Sequence, residues 1–288
     1  MRMGCVERTE GTLKQKQKAG KDKLRKANKA IKRAIKANPD NPRYHYWAGV
    51  MGTYNAISDA HSFWTIAGLP FKTNKAIDSY EKAVKLKPDF HQAKLELMGM
   101  YDRLPWYCGG NKSRAEKHAK MLEQMDAVYG AKARCEIRSR KSREEKIEIW
   151  EKIVTKDSNN AGAHAGLARE LMHKGDLPAS DMEQSVEHIN KALELDPSRS
   201  LILLDLAWHY KRAKRFDKAE ETLRRYVDFD PAPPIALRAC AMRELSGIYQ
   251  KQGKQENARK IENEAKELDP TEWPSIRHLP LEDLFVAP

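Results

Sequence analysis

Apolar and small side chains recur at helical spacing along this chain, in short runs that come in pairs and stop at a proline. The clearest pair lies between Pro197 and Pro231, 34 residues apart, where Leu206, Ala207 and Tyr210 mark a first run and Phe216, Ala219, Leu223 and Tyr226 a second. A repeat near 3.6 residues places each set on one face, so the pattern predicts two short amphipathic helices joined by a turn near Lys214. Neither helix buries its stripe alone, and a neighbouring pair has to cover it. Ala207 and Ala219 are small where two helices have to approach closely. The proline ends the second helix because it lacks an N–H and restricts the residue before it. Leu245, Ser246, Tyr249, Gly253, Ala258, Ala265 and Pro270 repeat the same offsets after a longer loop, PAPPIA.

Upstream the pattern persists with interruptions. Residues 1–20 are polar, and 21–37 read as the second helix of an incomplete first pair, with Ala27, Ala30, Ile31, Ala34 and Ile35 in helical spacing and Pro39 as the stop. YHYWAGVMGTYNA opens the next pair, with Ala48 and Gly49 at the close-contact positions; its partner carries Ala76, Tyr80, Ala83 and Pro88. Between them an insertion over 57–73 brings Phe63, Trp64 and Ile66, expected to pack an extra turn over the stack. A third pair places Leu97, Met98 and Tyr101 before the segment LPWYCGGNKSRA, and Ala115, Ala119 and Leu122 after it. Gly109-Gly110 predicts a tight turn with positive φ; the pattern of a phosphate-binding loop is not there. A degenerate fourth pair has Ile147, Trp150 and Ile153 on one face, and a fifth opens with Leu167, Ala168 and Leu171. The expected organisation is thus a polar start at 1–20, repeats over 21–135 and 136–270, and a tail at 271–288. The tail's Trp273, Leu279, Leu281, Leu284 and Phe285 either cap the last pair or dock on another chain.

The spacing Leu-Ala-x-x-Tyr, then Ala, Leu, Tyr and Pro, resembles the tetratricopeptide repeat. That resemblance implies an all-α, right-handed α-solenoid of about six to seven helix hairpins. Residues 30–135, with AGLPFKTNKAIDSYEKAVKLKP and the LP…GGNKSRA turn, are similar to a group of bacterial tetratricopeptide-repeat proteins. Proteins of that group are often exported or lipid-anchored, which implies a partner subunit of an envelope or transport complex as one alternative role. The chain as written has no apolar leader after MRMGCVERTE, so the expected location is cytoplasmic, or periplasmic or lipid-anchored if the true start lies upstream.

Charge narrows the choice of partner. Of 53 Lys and Arg against 41 Asp and Glu, net +12, residues 1–40 alone supply a surplus of nine. The basicity therefore belongs to the N-terminal segment. A nucleic-acid-associated role through that helix is an alternative, but no aromatic residue interleaves with its lysines, and the reading favoured is a solvated helix. No stretch is long and apolar enough to predict a transmembrane segment. Cys5, Cys108, Cys135 and Cys240 are scattered without a metal-ligand spacing, so neither a metal nor a cofactor is expected.

Chemistry is sparse. The nine histidines are dispersed, and no hydrolase, kinase or zinc-protease motif occurs, so catalysis is not expected and no catalytic residue is assigned. A protein-binding scaffold is the better reading. In the repeat family the first helix of each pair lines a concave groove, which implies Arg43 and Tyr46 in the second pair, Arg169 and His173 in the fifth, Trp208, Lys211 and Arg212 in the sixth, and Arg243 in the seventh. Arginine forks match carboxylates and tryptophan adds apolar area, so the expected ligand is an acidic or carboxylate-bearing peptide or protein face. Trp208 reads equally as packing between pairs, and Arg169, Lys211 and Arg212 equally as solvated charges.

Overall fold

Close approach of two helices requires a residue without bulk, and the chain supplies one at most hairpin contacts. The computed structural model describes residues 25–58, 68–137, 141–172, 179–230 and 232–270, and helices are the only regular elements among them apart from two short 3-10 turns. The expected insertion residues Phe63, Trp64 and Ile66, the polar start and the tail at 271–288 lie outside the described residues. The chain divides into two compact units, Met1–Ser139 and Arg140–Pro288.

In the first unit, α1 covers 25–37, followed by α2 (Pro42–Ser58), α3 (Leu69–Leu86), α4 (His91–Arg103), α5 (Lys112–Met125) and α6 (Ala127–Glu136). Helix α2 pairs with α3 and α4 with α5, while α6 packs on both α4 and α5. A methyl group added at Gly49 of α2 would stand 2.7 Å from the Tyr80 ring of α3, so glycine is what admits that tyrosine. Tyr80, Tyr101, Leu97, Met98 and Leu122 are fully buried there, each worth roughly 1.5–3 kcal/mol of apolar burial. Helix α3 begins at Leu69 rather than at the end of the expected insertion, with Pro70 in its first turn, where a missing N–H costs nothing.

The second unit contains α7 (Arg143–Lys156), α8 (Ala161–Met172), α9 (Ala179–Leu195), α10 (Ile202–Arg212), α11 (Phe216–Val227), α12 (Ile235–Lys251) and α13 (Gln255–Leu268). Three hairpins, α8/α9, α10/α11 and α12/α13, share one core built on Ala168, Ile189, Leu203, Leu206, Leu223, Tyr226, Leu245 and Ile248. Helix α7 lies on α8, where Gly166 leaves room for the ring of Trp150. Ser142 caps α7 in a reciprocal box with Glu145. Arg143 then reaches across to donate to the carbonyls of Glu170 and Leu171 at the end of α8 and to Asp181 of α9 (2.7 Å), fastening three helices at one point. The last helix, α13, buries Ala258 and Ala265 and turns Glu256, Arg259, Lys260, Asn263, Glu264, Lys266 and Glu267 to solvent.

Candidate functional site

The first helices of the three hairpins in the second unit, α8, α10 and α12, are tied together by ion pairs one repeat apart. Arg169 of α8 donates through Nε to Asp205 Oδ2 of α10 at 2.8 Å. One step on, the ammonium of Lys211 in α10 binds Glu244 of α12. Both pairs are part-exposed, so each contributes at most about 1 kcal/mol, but they fix the spacing of the three helices and neutralise two of the expected cations. Beside them the guanidinium of Arg212 lies 4.7 Å from the centre of the Trp208 ring, a cation–π contact worth about 0.5–1 kcal/mol at such a position. Trp208 is half-buried and Arg212 is exposed; no ion pair involving Arg212 exists among the described residues. Leu204, one turn before Trp208, is half-buried against the core.

The other expected groove residues are placed differently. Tyr46 is 5% exposed, enclosed by Trp47, Tyr80 and Phe90 with ring centres 5.2–5.9 Å away, so it is a core residue of the first unit. Its position on α2 faces the contact with α3 because Gly49 lets Tyr80 in beside it. Arg43 is exposed in the first turn of α2, where its backbone N–H donates to Asn41 Oδ1 at 2.9 Å. Arg243 points inward: its guanidinium donates to the Asp269 carbonyl, and also to that of Ala265 (3.4 Å), which already accepts from the Asp269 N–H at 3.0 Å, so it reinforces the C-terminal end of α13. In this structure it serves as a helix cap. His173 lies outside the described residues. Sequence reasoning missed Asp205 and Glu244, although a signal for them exists: each lies 33–36 residues after a cation on the preceding first helix, a full repeat away.

Polar groups also gather inside the first unit. Tyr101 donates to Glu81 and accepts from Arg114 (2.9 Å), and burial together with the Glu81 bond pushes its phenol up to about 12. The Lys94 ammonium, in a side chain 2% exposed, has Met125 Sδ at 3.1 Å, and burial pushes its pKa down. In the second unit His164 and His188 share a hydrogen bond between their Nδ1 atoms at 2.8 Å. No three His, Cys, Asp or Glu side chains form a metal-holding group among the described residues, and no described helix is long and apolar enough to cross a membrane.

Models of the tetratricopeptide repeat match residues 18–52, 71–90 and 179–242. No curated protein matches the chain. Solved structures with a similar course include the human IFIT1 dimer with PPP-AAAA, at 17% identity and a TM-score of 0.49 over 85% of this chain and 55% of that one. The chain thus spans about half the length of the IFIT1 structures. MamA matches at 16% identity and a TM-score of 0.37, over 73% of this chain and 95% of its own. YrrB, described as a tetratricopeptide-repeat protein with an unusual peptide-binding site, matches at 14% identity and 0.34, over 85% and 94%. Helix hairpins closed by small residues and prolines, and three matched segments spread over both units, lead to one statement: the chain is built on tetratricopeptide repeats, the architecture of protein-interaction scaffolds.

Proposed function

We propose that the face formed by α8, α10 and α12 binds an acidic peptide segment of a partner protein. The observation that carries this reading is the Arg212–Trp208 pair. On a face where Arg169 and Lys211 are already matched by Asp205 and Glu244, Arg212 keeps an exposed fork held in place by the indole. A guanidinium pre-oriented on a ring gives up little side-chain freedom when it takes a carboxylate in two parallel hydrogen bonds. The indole adds apolar contact beside that bond, the combination typical of binding hot spots.

The test is a direct titration with a fluorescein-labelled acidic peptide, comparing the wild type with Trp208→Ala/Arg212→Ala. Loss of about tenfold or more in affinity with unchanged helicity by circular dichroism is expected. Equal affinity in a folded double variant removes the reading. Loss of helicity would mean that Trp208 serves the packing between hairpins, and Arg212→Gln alone, which keeps the indole, then decides the matter.

A further inference from the structure

A lone apolar side chain in water is ordinary; three large aromatic ones gathered at one end of a helix are not. In the first unit Trp106 is 84% exposed, Tyr107 58% and Phe71 75%. Trp106 and Tyr107 open the 3-10 turn Trp106–Cys108 between α4 and α5, and Phe71 stands in the first turn of α3. The Thr73 hydroxyl donates to the Cys108 carbonyl at 2.9 Å, and Cys108 itself is fully buried, so the turn is fastened to that same end of α3. Its backbone is closed by further bonds. The Cys108 and Gly110 N–H groups donate to the Pro105 carbonyl (2.9 and 3.0 Å), that of Gly109 to Trp106 (3.1 Å) and that of Asn111 to Tyr101 (2.8 Å). A firmly held turn therefore presents two rings to solvent.

The surroundings select a partner. The stretches joined by the Thr73–Cys108 bond, 69–77 and 103–117, hold six Lys and Arg against Glu116 alone. Three of these cations meet carboxylates, Lys112 at Asp102, Arg103 at Glu136 and Arg114 at Glu81, while Lys75 and Lys117 lie exposed. The excess is positive, so the complementary surface is negative. Pro105 has no N–H and the donors from Cys108 to Asn111 are engaged, so the turn leaves bulk water at little cost in open backbone groups. The two rings stand at 88° with centres 5.8 Å apart, edge to face. Successive bases of a single strand stack on ring faces, an arrangement that this perpendicular pair does not offer. Tryptophan and tyrosine do suit the boundary of a bilayer, where the ring meets acyl chains and the N–H or O–H stays wet.

We infer that the Trp106–Tyr107 turn docks the protein on an anionic lipid bilayer, with both rings at headgroup level and the flanking cations, Lys75 and Lys117 among them, facing the lipid phosphates. Phe71 adds apolar area at the same end of α3. The contact is interfacial and reversible, made by side chains of one turn and not by a spanning helix. It is independent of the acidic-peptide reading, whose residues all belong to the second unit.

Co-sedimentation of the full chain with vesicles of phosphatidylcholine, with and without about one-third phosphatidylserine, tests this. Residues 1–40 carry a surplus of nine positive charges and are drawn to anionic vesicles by charge alone, so the decisive comparison is with Trp106→Ala/Tyr107→Ala. The wild type is expected to bind the anionic vesicles about tenfold more tightly than this variant, at equal helicity by circular dichroism. Tryptophan emission gives a second readout that stands even if the double variant fails to fold. Anionic vesicles with brominated acyl chains should quench the wild type more strongly than Trp106→Phe, which keeps an apolar ring. Equal affinity of the wild type and a folded double variant, or equal quenching in Trp106→Phe, overturns the inference. Failure of the wild type to bind anionic vesicles overturns it too, and binding of a single-stranded oligonucleotide in their place, lost in the double variant, would assign the rings to nucleic acid.

Discussion

Single residues show where the fold accepts a local penalty. Lys214 sits at φ 57, in the left-handed region, in the turn between α10 and α11. Its counterpart between α12 and α13 is Gly253 at φ 77, and the two turns bond alike: Arg215 N–H donates to the Tyr210 carbonyl and Lys254 N–H to that of Tyr249, both at 2.9 Å. Lys214→Gly is therefore expected to stabilise the second unit by about 0.5–1 kcal/mol in urea unfolding, the left-handed strain outweighing the added chain entropy. Lys94 presents a different penalty, a buried ammonium facing a thioether. Lys94→Met keeps the volume and removes the charge, and should raise stability by about 1–2 kcal/mol. The histidine pair sets a pH dependence. Burial first, and then the neighbouring His164, pushes His188 below the ordinary histidine range, with Glu187 opposing weakly. Between that lowered value and the unfolded one near 6.5 the unfolded chain holds more protons, so stability is full above about pH 6.5 and falls as acid is added. Thermal melts from pH 7.5 to 5 should show that decline, reduced in His188→Gln. His118, lowered for the same primary reason, supplies a remainder in the first unit.

At the scale of elements, the turn between α4 and α5 shows how much a motif can tell. GGNK reads in the sequence as a tight turn with positive φ, and Gly109 has φ 92. Gly110 is required for another reason: a side chain there would run into the Leu104 carbonyl, whose neighbour Pro105 already accepts the Gly110 N–H at 3.0 Å. Asn111 then caps α5, Lys112 binds the buried Asp102 at 2.9 Å, and the Thr73 hydroxyl donates to the Cys108 carbonyl at 2.9 Å, locking the turn onto α3. Gly110→Ala is expected to cost about 2 kcal/mol or more, read as a lower urea midpoint with unchanged slope. Helix existence, the small contact residues and the proline stops were legible because each follows from local sterics. The inward course of Tyr46 was not, since a period of 3.6 leaves a residue at the edge of the stripe free to face either neighbour and Tyr80 decides it. The pairs Arg169–Asp205 and Lys211–Glu244 join residues a repeat apart, a relation that composition along one helix does not display. Arg243 resembled a surface cation by position; its role as a cap depends on where α13 ends.

For the whole molecule the division at Ser139 and Arg140 matters most, because each unit has a hydrophobic core of its own. A fragment of residues 140–288 is expected to fold alone, with a cooperative thermal transition by circular dichroism, and to bind the acidic peptide with the affinity of the full chain, since α8, α10 and α12 all lie within it. A fragment that is helical but fails to bind would place part of the ligand contact in residues 1–139. Within the second unit the hairpins could in principle be joined by another, each new pair covering the stripe of the last. Helix α13 is the last described helix, and its outward side carries carboxylates, amines and an amide. A further helix laid on that side would have to strip water from those groups, so this side of α13 is finished as a wetted surface and not left as a stripe awaiting cover.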